Sequence, residues 1–145
     1  MRELPRQLTV DELAELFEGR TRFVERLAAV EDPLRRAREV ARELTDEERK
    51  EVLDAHPAIG ARRLSARSAA EQGGEEDPEV LRELAELNAA YEARFGFRFV
   101  VFVNRRRKSE IVPILRERLG RTREEELTTA LDELVAIAED RWRRG

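Results

Sequence analysis

His56 is the only histidine in the chain, and it stands in His56-Pro57-Ala58-Ile59-Gly60, directly after an amphipathic run. An unperturbed imidazole titrates near ~6.5, which lets it give and take protons close to neutrality. Proline disfavours helical geometry for its predecessor, so His56 is pushed into an extended conformation at a helix end. Gly60 then permits a turn that other residues could not make. Taken alone, the same residues would serve equally well to close a helix with no chemistry attached.

Three further groups could meet such an imidazole. Ser68-Ala69-Ala70-Glu71-Gln72 reads as a capping box, in which hydroxyl and carboxylate satisfy free amide donors. The extra amide of Gln72, followed by two glycines instead of an apolar run, also suits a polar terminus facing a ligand. Phe97-Arg98-Phe99-Val100-Val101-Phe102-Val103 is the one strongly extended stretch. A lone strand has no partner to form a sheet, so its N–H and C=O groups must find other protein groups, water or ligand. Composition alone would make it core. Arg141 follows Ile137 by one turn on an apolar face, yet with Arg143 and Arg144 nearby it reads by itself as a surface charge.

The elements that must position these groups are helical. Thr9-Val10-Asp11-Glu12 is a capping box ahead of Leu13, Leu16 and Phe17, which predicts a helix over about 10–18. Thr21 to Val30 continues with Phe23, Val24 and Leu27 on one side. Asp32-Pro33 opens a helix carrying Leu34, Ala37, Val40 and Leu44. A second box, Thr45 to Glu48, starts the run that stops at His56. Ser68 to Gln72 reads as one short helical turn, and residues 73–78 as a linker. The helix over 78–95 carries Val80, Leu81, Leu84, Leu87, Ala90 and Tyr91 and stops at Gly96. Ser109 to Leu119 is helical, with Pro113 tolerated only in its first turn. Thr122 to Glu125 caps a last helix to about Arg143, with Leu127, Ala130, Leu131, Leu134, Ile137 and Ala138 inward. The expected fold is all-α: a single-domain bundle of about seven to nine helices over 1–145, with one buried extended connector.

Composition excludes several classes of function. With 145 residues, 41% of them charged, no stretch approaches the ~20 apolar residues of a spanning helix. The amino-terminal residues lack the apolar stretch of a signal peptide, so a soluble, cytoplasmic protein is expected. The absence of cysteine removes disulfides, zinc-thiolate sites and thiol nucleophiles. One histidine makes a metal centre improbable, because such centres usually take two or more imidazoles. Arg105-Arg106-Arg107-Lys108 is a basic cluster, but the net charge of −4 and the lack of interleaved aromatics argue against nucleic acid. A helical interaction domain with an incidental histidine is the competing reading.

In order, His56 to Gly60, Ser68 to Gln72, Leu87-Asn88-Ala89-Ala90-Tyr91-Glu92-Ala93-Arg94-Phe95-Gly96-Phe97-Arg98-Phe99-Val100, and Ile137-Ala138-Glu139-Asp140-Arg141 resemble the 2-oxo-4-hydroxy-4-carboxy-5-ureidoimidazoline (OHCU) decarboxylases of urate degradation. The likeness runs from about Leu8 to Trp142. It implies an all-helical, cofactor-free enzyme that forms (S)-allantoin and carbon dioxide, and a homodimer. By the family's pattern His56 is the catalytic acid or base and Glu71 cooperates with it. Pro57, Ser68, Ala69, Ala70, Gln72 and the backbone of Phe99, Val100, Val101, Phe102 and Val103 would contact substrate. Arg141 matches the arginine near the end of the family's last helix. Ala58-Ile59 stands where Asp-Leu is commoner.

Overall fold

A computed structural model of the chain describes residues 3–59 and 77–145. Among these residues there are seven helices and no strand. They are α1 (Val10–Phe17), α2 (Arg22–Ala28), α3 (Pro33–Arg42), α4 (Asp46–Ala55), α5 (Pro78–Phe95), α6 (Lys108–Leu119) and α7 (Arg123–Arg144). The expected turn at 68–72, residues 73–76 of the expected linker and the turn at Gly60 lie outside the described residues, while Asp77 caps α5 and Pro78 is its first residue.

Local chemistry sets most of the helix ends. Thr9, Thr45 and Thr122 each form a reciprocal capping box, with Glu12, Glu48 and Glu125 respectively. Each box satisfies two of the amide donors that a helix start leaves without an internal partner. Gly96 ends α5 in the left-handed region at φ 81°, which costs glycine nothing. Proline opens α3 and α5, where its missing N–H is no loss.

Two expectations need correction. Pro113 lies inside α6, beyond its first turn. The bond it forfeits would run to the Ser109 carbonyl, and both residues are exposed, so water can replace the donor. Ala90 is exposed and Val80, Leu81 and Leu87 are only partly buried; α5 buries Leu84 and Tyr91, as expected, and Phe95 as well. The inward face of α7 is as expected, and it carries Arg141 and Glu126 as well.

α7, the longest helix, packs against α1, α3 and α4, while α2 bridges α1, α3 and α4. α5 and α6 pack against each other and are joined through a segment that includes the connector, residues 97–103. That connector is buried, with Phe97, Phe99 and Val100 each about 1% exposed, which rules out a surface loop. Phe97 and Phe99 meet the Tyr91 ring edge-on at 5.8 and 5.2 Å. The Arg118 guanidinium lies over the Phe99 ring at 4.6 Å and donates to the Val100 carbonyl at 2.8 Å. Its charge is met by Glu126, fully buried, which also accepts from Tyr91 at 2.6 Å and from Arg121 at 2.9 Å. Burial and the bond to Glu126 both push the Tyr91 hydroxyl pKa up. The result is a network that fixes the connector against α5, α6 and α7.

Candidate active site

His56 is the residue on which α4 ends. Its backbone is extended (φ −78°, ψ 135°), as the following proline requires, and its N–H donates to the Leu53 carbonyl at 3.2 Å. The side chain is buried, at 7% exposure, while Pro57 beside it is half-buried. Among the described residues Nδ1 has no hydrogen-bond partner. A buried imidazole nitrogen left unpaired is costly in a core, and such atoms call for an explanation.

Electrostatics fix the protonation state. Burial disfavours the imidazolium, the Arg141 guanidinium adds to that, the Glu18 carboxylate opposes it and Arg98 adds a smaller push. Together they lower the His56 pKa from 6.5 to about 4. Near neutrality the ring is uncharged and able to accept a proton.

Arg98 ties the connector to the histidine. Its Nη1 donates to the carbonyls of Asp54 and His56 at 3.0 and 2.8 Å, groups at a helix end that no intrahelical donor can reach. Its own backbone N–H donates to the Asp54 carboxylate at 3.0 Å, and Nε pairs with Glu92 at 3.0 Å. On the other side, Asn88 in α5 donates to the Ile59 carbonyl at 3.2 Å, holding the loop that follows Pro57. Asn88 Oδ1, also buried, has no partner among the described residues.

Arg141 is not the surface charge that its arginine-rich surroundings suggest. It is 1% exposed, donates to the Leu16 carbonyl at 3.0 Å, and pairs with Glu18 at 3.0 Å. Leu16 belongs to the last turn of α1, where carbonyls lack internal donors.

The connector's backbone accounts are only partly closed by protein. Phe102 N–H donates to Glu133 at 3.3 Å, and Arg106 donates to the carbonyls of Phe102 and Val103 at 2.6 and 3.0 Å. Among the described residues, the N–H groups of Phe99, Val100 and Val101 have no acceptor. Buried amides of this kind are rare unless water or ligand completes them.

The family model for OHCU decarboxylase matches residues 2–143. The chain belongs to the OHCU decarboxylase family. Members are decarboxylating lyases of urate degradation. The 2-oxo-4-hydroxy-4-carboxy-5-ureidoimidazoline decarboxylase of Haloferax volcanii is 34% identical over 141 residues, covering 90% of this chain and 84% of that one. The uric acid degradation bifunctional protein PucL of Bacillus subtilis is 29% identical over 150 residues, covering 95% of this chain but 30% of that longer protein. Among solved structures, an OHCU decarboxylase crystallised in the presence of (S)-allantoin superposes with a TM-score of 0.75 at 24% identity, over 90% of this chain and 94% of that one. An (S)-allantoin synthase superposes at 0.67 with 22% identity, over 91% of this chain and 47% of the other. These two likenesses concern the fold, and they agree with the all-α bundle expected from the sequence.

Within this OHCU decarboxylase fold, the residues singled out from sequence separate into two sets. His56, Pro57 and Arg141 are brought together where the ends of α1, α4 and α7 meet, and Arg98 ties the start of the connector to His56, while Glu133 and Arg106 hold its far end at Phe102 and Val103. Ser68, Ala69, Ala70, Glu71 and Gln72 lie outside the described residues. Glu18, Asn88 and Arg98 were missed. Arg98 had a legible signal, being a lone charge between two core phenylalanines. Asn88 had a weaker one, as an amide inside a helix otherwise built from good helix formers. Glu18 had none, because only the tertiary path of α7 reveals its partner.

Proposed function

We propose that this chain converts 2-oxo-4-hydroxy-4-carboxy-5-ureidoimidazoline to (S)-allantoin and carbon dioxide without a cofactor, using His56 and Glu71. The observation that carries the reading is the buried, uncharged His56, whose Nδ1 has no partner among the described residues and whose charge state is set partly by the Arg141 guanidinium. The chemistry needs few parts. When the bond from the ring carbon to the carboxylate breaks, its electron pair moves towards the adjacent ring imine, whose nitrogen takes up a proton, and carbon dioxide leaves. The resulting enol loses its 4-hydroxyl proton while the neighbouring carbon gains one on a single face. The ring serves as its own electron sink, which is the task that decarboxylases otherwise give to an organic cofactor.

The protein's tasks are to orient the carboxylate, exclude water and manage those protons. His56 accepts the 4-hydroxyl proton or delivers the stereodefining one, and Glu71 sets its orientation and basicity. The substrate carboxylate is drawn by the cationic surroundings of His56, and its arrival raises the imidazole's proton affinity towards the working range. Ser68, Ala69, Ala70 and Gln72, with the open amides of Phe99, Val100 and Val101 and the adjoining Phe102 and Val103, hold the ring and ureido carbonyls. Pro57 forms one wall. The protein is proposed to act in the cytoplasm as a homodimer.

The test is optical. Freshly generated urate-oxidation intermediate is mixed with the protein and circular dichroism of the product is followed. Accelerated formation of one enantiomer of allantoin is expected. A rate equal to that of buffer would reject the enzymatic reading and favour a helical binding domain.

A further inference from the structure

We propose that Glu18 is a positioning residue for this reaction, one that holds Arg141 beside the imidazole and balances the positive charge His56 meets. The inference rests on the role given to His56 above. Its first support is the backbone: Glu18 closes α1 in the left-handed region, at φ 67° and ψ 22°. The turn is completed by Gly19 N–H donating to the Ala14 carbonyl at 2.9 Å. For a residue with a Cβ this conformation is disfavoured, and helix ends of this type usually carry glycine there. Here the glycine is one residue later, at Gly19, and a glutamate occupies the strained position. Strain kept where a cheaper residue would serve points to a side chain that is needed.

The second support is what that side chain reaches. Its carboxylate is 3.0 Å from Arg141, whose other nitrogen is anchored to the Leu16 carbonyl of the same helix end. α1 thus grips the guanidinium twice. The third is proximity to the histidine: a Cβ built on Gly19 would be 3.6 Å from that of Ala55, the residue before His56. The end of α1 and the end of α4 therefore abut at the site. Among the described residues, the charged groups acting on His56 are Glu18 from α1, Arg141 from α7 and Arg98 from the connector, the last paired with Glu92. Glu18 is the one acid that acts on the ring directly among the described residues, and it favours the protonated ring.

Glu18→Gln keeps an oxygen for Arg141 and removes the charge. Wild type, Glu18→Gln, Glu18→Gly and His56→Asn are compared as full chains for kcat, KM, optical purity of allantoin and thermal midpoint. The His56 ring signal is titrated by NMR in the first three. Misplacing Arg141 is expected to lower kcat/KM roughly 10- to 100-fold. In Glu18→Gln the ring midpoint should move to lower pH, a change that a mere helix cap would not cause. Glu18→Gly relieves the left-handed strain, so it should fold well yet lose activity comparably. Activity within twofold of wild type in either folded variant, or an unmoved ring midpoint in Glu18→Gln, overturns the proposal. Should His56→Asn also run at the wild-type rate, the reading of His56 itself has failed, which is a separate outcome.

Discussion

Two buried polar regions of this protein, one around Glu126 and one around His56, are built to opposite ends. At Glu126 a carboxylate with no exposure accepts from Tyr91, Arg118 and Arg121, so the cost of burying charge is met by several short bonds, and of this cluster only Arg118 Nη2 lacks a partner among the described residues. At His56 the ring is also buried, but Nδ1, like three amides of the connector that Arg98 ties to it, has no partner among the described residues. The first arrangement gives rigidity. The second leaves bonding capacity open, which the proposed substrate would use. The two are linked, because Arg118 holds the Val100 carbonyl and thereby sets where the neighbouring amides lie.

The difference can be broken from either side. His56→Asn should reduce turnover by about 10²–10⁴-fold, the usual worth of a positioned acid or base, with little loss of stability at neutral pH. Kinetics and a thermal melt on the same preparation check both halves. Glu126→Ala should do the reverse, costing about 3–5 kcal/mol of stability because Arg118 is left as an unpaired buried charge. Urea unfolding measures it.

A third prediction concerns pH. The folded imidazole takes its proton only near about 4, whereas in the unfolded chain it does so at 6.5. Between those values the unfolded state binds more protons, so stability is fully present above 6.5 and falls as pH drops towards about 4. The loss should approach about 3 kcal/mol, and His56→Asn should flatten that part of the curve. Smaller still, Arg98→Met should free the His56 carbonyl and lower kcat/KM roughly 10- to 100-fold, while leaving the connector's ring packing intact. A variant that binds and turns over normally would show that the tie is dispensable.

Much of the fold was legible because its cues are local. Three Thr-x-x-Glu boxes, the two proline starts and Gly96 mark helix ends by short-range hydrogen bonding, which a sequence displays directly. Pro113 misled because whether a helix tolerates proline depends on solvent access to the freed carbonyl at Ser109, a tertiary property. The site was legible in part for the same reason. His56 followed by proline dictates its own backbone, and a stretch as apolar as Phe97 to Val103 has to be buried. Arg141 by itself read as a surface charge because burial of an arginine depends on distant acceptors. Here they are the Leu16 carbonyl and Glu18, at the far end of the chain.

With a single histidine, the imidazole C–H signals of the whole protein belong to one residue, and their pH titration by NMR reports directly on its charge. A midpoint at about 4 is expected for a ring kept neutral by burial and by Arg141. A midpoint at or above ~6.5 would mean a solvated, ordinary imidazole, and would contradict the proposed catalytic centre.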